Sequence, residues 1–268
     1  MKCISLNFIF KSRYIMAVFS FFNEKGGSGK SLHSVLFGSY LAYARGARVC
    51  LLDFEFTPRL EKTRKNEDNF LSDEKSVLSR YLASHPQEDG VLDIVNVPKE
   101  ILTERVNQRE KISDYVSDMS TKYDYVIMDL PAEFSTAQSL SFIALQCIVD
   151  MVAVPFDYTP TVFTCAANTA EVLRNISVPT VMFWNKVSAR ALKRDDFLER
   201  LEVRLIDMGF DVLPHRIKYF QKAMRESKEQ FFVVSTYCWP RRYVEMSCPA
   251  LELLYSCLKE RLDAIVAE

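Results

Sequence analysis

Seven consecutive residues near the start of the chain, Lys25-Gly26-Gly27-Ser28-Gly29-Lys30-Ser31, bring together the groups needed to hold a run of phosphates. Glycines let backbone N–H groups close on phosphate oxygens, a lysine neutralises charge, and the hydroxyl after it helps to hold magnesium. Three of the chain's seven glycines sit in this stretch, so an incidental glycine-rich turn is a poor account of it. The strict pattern G-x-x-x-x-G-K-[ST] is not met, because Glu24 stands where its first glycine belongs. Elsewhere, Asp53 and Asp129 each end a short apolar run, Glu55 follows two residues after Asp53, and Asn185 ends a later run. A carboxylate at the carboxyl end of a buried strand is placed to handle magnesium or an attacking water.

These groups meet only if the segments between them fold as alternating strands and helices. Residues 17–22 read as a buried strand that feeds the glycine loop, and 31–44 as a helix apolar nearly all round, which belongs inside. Residues 49–53 form a second strand, with others expected at 91–97, 125–129, 148–155, 180–184 and 210–213. Helical patterns fall at 74–83, 101–120, 136–146, 162–175 and 189–208. The alternation predicts an α/β fold, a doubly wound and mostly parallel β-sheet flanked by helices in a single domain over 16–268. Residues 59–75 are polar and read as a surface loop, while Leu251, Leu254, Leu258, Leu262 and Ile265 mark a closing amphipathic helix.

The segment Glu24 to Ser31 resembles the K-G-G-x-G-K-[ST] loop of the ParA/MinD family of deviant Walker A P-loop ATPases, and Lys25 matches that family's signature lysine. Residues 49–55 are similar to its second strand, which ends in D-x-D, although Glu55 replaces the second Asp. Residues 123–131, Tyr-Asp-Tyr-Val-Ile-Met-Asp-Leu-Pro, resemble its Walker B strand, and 181–187 the strand whose terminal Asn reads adenine. The resemblance implies ATP and Mg2+ as ligands, with Gly26, Gly27, Ser28, Gly29, Lys30, Ser31 and Asn185 on the nucleotide. It implies Ser31, Asp53 and Asp129 at the metal, and Lys25, Lys30, Asp53 and Glu55 in catalysis. In the family the signature lysine reaches the partner's nucleotide, so a homodimer in the ATP state is expected. Glu55 carries one methylene more than Asp and moves its carboxylate outward, which favours nucleotide binding over fast turnover.

Composition narrows the rest. The 34 Lys and Arg nearly cancel the 35 Asp and Glu, so no global field draws the chain to nucleic acid or an anionic membrane, and such binding needs a local patch. Seven cysteines without a C-x-x-C pair argue against a disulfide framework and for a reducing cytoplasm. Their spacing also disfavours an iron-sulfur carrier. No run is long enough to span a membrane, and the first fifteen residues, an N-terminal extension ahead of Met16, lack a signal peptide's cleavage site. His33 is expected on a helix surface or at an interface.

Within the family, the closest resemblance is to ParA-type DNA partition ATPases, which implies nonspecific DNA binding, nucleoid association and a ParB-like or other stimulating protein. Lys218, Lys222 and Arg225 are expected on one face of a helix, with Arg190, Lys193, Arg194, Arg241 and Arg242 extending the patch. Membrane targeting of the MinD type is disfavoured, because 259–268 mixes charge signs and ends acidic. The alternative is a regulatory adaptor that uses the same switch to recruit proteins without binding DNA.

Overall fold

Buried apolar runs become strands, and the turn-forming residues after them become the loops of one edge. In the computed structural model, which describes residues 16–57, 60, 90–103, 107–132, 139–193, 195–218 and 241–267, seven strands form one sheet. They are β1 (Ala17–Phe21), β2 (Arg48–Asp53), β3 (Val91–Asn96), β4 (Tyr125–Asp129), β5 (Met151–Phe156), β6 (Thr180–Val187) and β7 (Val212–Lys218). Their order is β3-β2-β4-β1-β5-β6-β7, and every neighbouring pair is parallel. The parallel, doubly wound expectation therefore holds, and all residues of β1, β4 and β5 are buried, as a sheet covered on both faces requires.

Side chains alternate between two apolar layers. On one face Phe19 and Phe21 pack with Leu36 and Phe37 of α1 (Lys30–Ser39) and with Leu254 and Leu258 of the C-terminal helix α8 (Arg241–Ala267). On the other, Val18, Val126 and Met128 pack with α3 (Gln108–Ser117), α4 (Leu140–Ile148), α5 (Pro160–Asn175) and α7 (Asp195–Asp207). Two short helices, α2 (Lys99–Thr103) and α6 (Ala189–Leu192), complete the described set.

Several expected boundaries shift for local reasons. The helix read over 31–44 starts at Lys30 and passes into a π-helical turn at Tyr40–Ala44, beside which the Ser39 hydroxyl donates to the Val35 carbonyl at 2.8 Å. The one read over 101–120 is two helices, the second entered through Asn107 at φ 60°. The one read over 189–208 also divides, its first piece capped by Ser188 Oγ, which accepts from Ala191 N at 3.1 Å. The last strand, read as 210–213, runs instead to Lys218. Residues 1–15, the polar loop expected at 59–75 apart from Leu60, and the helix expected at 74–83 lie outside the described residues.

Candidate active site

β1 lies between β4 and β5, where the strand order reverses, and the loop leaving its carboxyl end opens into the crevice that such sheets offer to ligands. Local hydrogen bonds give that loop its shape. Asn23 Nδ2 donates to the Pro155 carbonyl at 2.9 Å, and its Oδ1 accepts from Lys25 N at 2.8 Å. Glu24 N donates to Thr169 Oγ1 at 3.3 Å, in the place where the strict motif would have glycine. Gly27 and Gly29 take φ 77° and 105°, which L side chains rarely adopt, and a Cβ on Gly29 would stand 2.5 Å from Asn185 Nδ2. Gly29 then caps α1, so the positive end of that helix faces the crevice. Lys30 is 8% exposed and folds back under the loop, its Nζ 3.4 Å from the Lys25 carbonyl.

Two residues at the end of β6 support the loop from the side. Asn185 Nδ2 donates to the Ser28 carbonyl at 2.7 Å. Lys186 is held at φ 56° where the β6–β7 register shifts, and its ammonium donates to the Gly27 carbonyl. Burial pushes the Lys186 pKa down, with Asp157 opposing.

Across the cleft the acids have unequal roles. Asp53 Oδ1 accepts from Glu55 N and Oδ2 from Leu60 N, both at 3.0 Å, so this carboxylate shapes the loop after β2. Asp129 is 1% exposed, and neither of its oxygens has a hydrogen-bond partner. Burial pushes its pKa up to about 7, and Asp53 and Glu55 add to the rise; Ser31 and Lys30 favour the charged form, the Ser31 hydroxyl without completing a hydrogen bond. The cleft beside the loop measures about 770 Å³, and its walls include Lys30, Ser31, Glu55, Leu130 and Lys186. That volume suits a ligand of nucleotide size. A buried, unpartnered carboxylate facing a serine hydroxyl at the start of a helix also fits a divalent cation, whose preferred ligands are oxygens. A phosphate chain fits the glycine cradle beside it.

The family model described as ATPase MipZ matches residues 17–221. The chain belongs to this family of ParA/MinD-type ATPases. Among solved structures it is similar to the MinC:MinD cell division protein complex of Aquifex aeolicus, at 17% identity and TM-score 0.63, covering 91% of this chain and 96% of that one. It is likewise similar to a ParA family ATPase of Chlorobium tepidum, at 18% identity and TM-score 0.59 over 89% and 98% of the two chains. A plasmid partition protein of Borrelia burgdorferi shares the fold at 13% identity and TM-score 0.53, over 83% and 98%. No curated protein sequence matches.

Against the MipZ-family frame, the residues expected at the phosphates and the metal, Gly26 to Ser31, Asp53 and Asp129, gather at one edge of the sheet. Lys25 is exposed beside them. Asn185, expected to read adenine, lies beneath the loop at 4% exposure with its amide nitrogen on Ser28. The expected basic patch departs from the structure at Lys218. Lys218 is the last residue of a strand, so it cannot share a helical face with Lys222 and Arg225, which lie outside the described residues, as does Arg194. Arg190 and Lys193 are exposed at α6, and Arg241 and Arg242 open α8, their side chains outside the description.

His33 corrects a further expectation. It is 2% exposed, its ring packs edge-on against Phe183 at 5.0 Å, and its Nδ1 is 2.9 Å from Tyr255 Oη on α8. Burial lowers its pKa to about 4. Sequence reading also missed Asn23, Thr169 and Lys186. Asn23 follows the first apolar run just ahead of the loop and Lys186 follows the Asn that ends a later run, signals available in the chain; Thr169, in the middle of a helix, gives none.

Proposed function

We propose that this chain is an ATP-driven switch: it binds ATP with Mg2+ in the cleft above Gly26 to Ser31, hydrolyses it slowly, dimerises in the ATP state and then binds DNA nonspecifically to partition a DNA element. The single observation that carries the nucleotide part is Asp129, a buried carboxylate without a partner opposite Ser31 and Lys30. Ser31 and Asp129 would hold magnesium, which when bound neutralises phosphate charge and orients water. The loop amides and Lys30 bind the phosphates. Glu55 brings a carboxylate to the wall of the cleft, where it would meet a water, and Asp53 holds the backbone there by accepting from the Glu55 amide. Exposed Lys25 is available to a second copy. Exposed Arg190 and Lys193, with a plasmid partition protein among the fold's relatives, support the DNA part.

The test is ATP turnover with and without nonspecific DNA at low salt, alongside sedimentation with a slowly hydrolysed ATP analogue. Dimers with the analogue and salt-sensitive DNA binding with ATP but not ADP are expected. A monodisperse monomer, or no DNA binding at low salt, overturns those parts.

A second reading, a regulatory adaptor that recruits a protein, has its own observation: Val203 and Ile206 on α7 are 53% and 51% exposed, and a MinC:MinD complex is among the relatives. Turnover indifferent to DNA, with binding lost on Val203→Asp to a partner captured by the ATP form, favours it.

A further inference from the structure

Four residues from three distant parts of the chain form a buried line of contacts, hydrogen-bonded at both ends, that finishes on the phosphate loop. Tyr255, 3% exposed on α8, meets His33 Nδ1 at 2.9 Å. His33 and Asn185 meet at Gly29, where a Cβ would stand 3.5 Å from His33 Cδ2 and 2.5 Å from Asn185 Nδ2, and the Asn185 side chain favours a proton on the ring. The Asn185 amide nitrogen donates to the Ser28 carbonyl at 2.7 Å. With the ring proton on Nε2, the side towards Asn185, Nδ1 accepts the Tyr255 hydroxyl proton, a tautomer assigned from the surroundings. None of the four is more than 4% exposed, so water cannot replace a lost partner.

We propose that Tyr255, His33 and Asn185 are positioning residues for nucleotide binding, through which α8 holds the phosphate loop in its binding shape. The geometry gives this line a specific target. Asn185 fixes the carbonyl of Ser28, the peptide that leads into Gly29, and Gly29 is wedged with its α-carbon face on the same amide, since a Cβ there would stand 2.5 Å from Asn185 Nδ2. The orientation of that peptide decides where the Gly29 amide points, and Gly29 at φ 105° opens the helix that would receive the phosphates. At its other end the line is tied to an element with its own anchor, because Asp263 of α8 accepts from Tyr125 Oη at 2.7 Å. A displacement of α8, 222 residues away in sequence from His33, would therefore be felt at Ser28, and nucleotide in the loop would in turn steady α8. The line carries coupling because each member is close-packed, with the Tyr255 ring also against Phe37 and Tyr40 at centroid distances of 5.4 and 5.8 Å.

The coupling to nucleotide rests on the ATP-binding reading, and two measurements separate them. The full chain and its Tyr255→Phe, Asn185→Ala and double variants are compared by backbone amide exchange without nucleotide and by equilibrium ADP binding with Mg2+. Tyr255→Phe keeps the ring and removes only the hydroxyl. It should speed exchange of the Gly26 to Lys30 amides while leaving those of β6 and β7 unchanged, and weaken ADP binding roughly three- to tenfold, the worth of one buried hydrogen bond. In the Asn185→Ala background, where the line is already cut, Tyr255→Phe should have no further effect on the loop, which a merely structural tyrosine would not show. Unchanged loop exchange in Tyr255→Phe, or additive losses in the double variant, overturns the proposal. Unchanged ADP affinity despite faster exchange overturns its link to nucleotide. Absence of any nucleotide binding by the parent chain defeats the ATP reading instead, and the exchange measurement still decides whether the line holds the loop.

Discussion

Asp53 and Asp129 stand in register on adjacent parallel strands, yet one carboxylate caps a loop through two backbone amides and the other has no hydrogen-bond partner. The pair therefore divides its labour, and the two substitutions should fail differently. Asp129→Asn should leave the fold intact and weaken Mg2+-dependent ADP binding by about tenfold or more, the worth of one interaction with a charged group, while binding without Mg2+ barely changes. Asp53→Ala should instead lower stability by about 1–3 kcal/mol, because the Glu55 and Leu60 amides lose their acceptor. Calorimetric binding with and without Mg2+, paired with urea unfolding, separates the two.

The loop glycines are not equivalent. Gly29→Ala places a Cβ where Asn185 Nδ2 stands and forces an L side chain to φ 105°. A loss on the order of 2 kcal/mol in urea unfolding is expected, with nucleotide binding lost alongside. Gly26, which has open space around its α-carbon, should accept Ala within about 0.5 kcal/mol of the parent's stability. Equal destabilisation by both would show that the close approach of Asn185 to Gly29 is unimportant.

Lys186 occupies a left-handed backbone at φ 56°. Both Lys186→Ala and Lys186→Gly remove the bond to Gly27, but only glycine relieves the backbone. The glycine variant should be the more stable by about 1 kcal/mol, an order reversed from the ordinary strand preference for alanine. Thermal unfolding of the two variants side by side measures this.

Stability should also carry a signature of His33. Burial holds its folded pKa near 4, below the ordinary 6.5 of an imidazole, with Lys186 lowering it further and Asn185 opposing. Tyr255 from α8, Asn185 and Lys186 from β6 and the Phe21 and Phe183 rings are the groups that face it. Above about pH 6.5 the ring is neutral in both states and contributes no slope. As pH falls from 6.5 towards 4 the unfolded chain takes a proton that the folded chain refuses, so stability drops by a total on the order of 3 kcal/mol. The difference between the parent and His33→Gln in urea unfolding should grow over that window and be flat above it.

How far the sequence carries is plain from particular residues. The phosphate loop and the acids were legible because apolar runs end there in glycine or carboxylate, a pattern set by local geometry and by burial of both faces of a parallel sheet. The expectation for β7 stops at Leu213 because Pro214, His215 and Arg216 interrupt its apolar character, as an edge strand permits, and Lys218 is then expected on a helix. The contact of Asn185 with Ser28 spans 157 residues and the burial of His33 depends on α8 folding over it, so neither has a local sequence signal.

α8 offers a direct check on packing. Leu258 is fully buried beneath the sheet, and Leu258→Ala should cost about 2–5 kcal/mol in chemical unfolding. A cost below about 1 kcal/mol would mean that α8 is not part of the core and is free to act elsewhere.

The central claim, that this cleft is a magnesium-dependent ATP site, is tested most directly by equilibrium binding of ATP to the parent chain and to Lys30→Ala, with and without Mg2+. Saturable binding that Mg2+ strengthens and that Lys30→Ala abolishes is the predicted result. No saturable binding by the parent chain, or equal binding by Lys30→Ala, would contradict it.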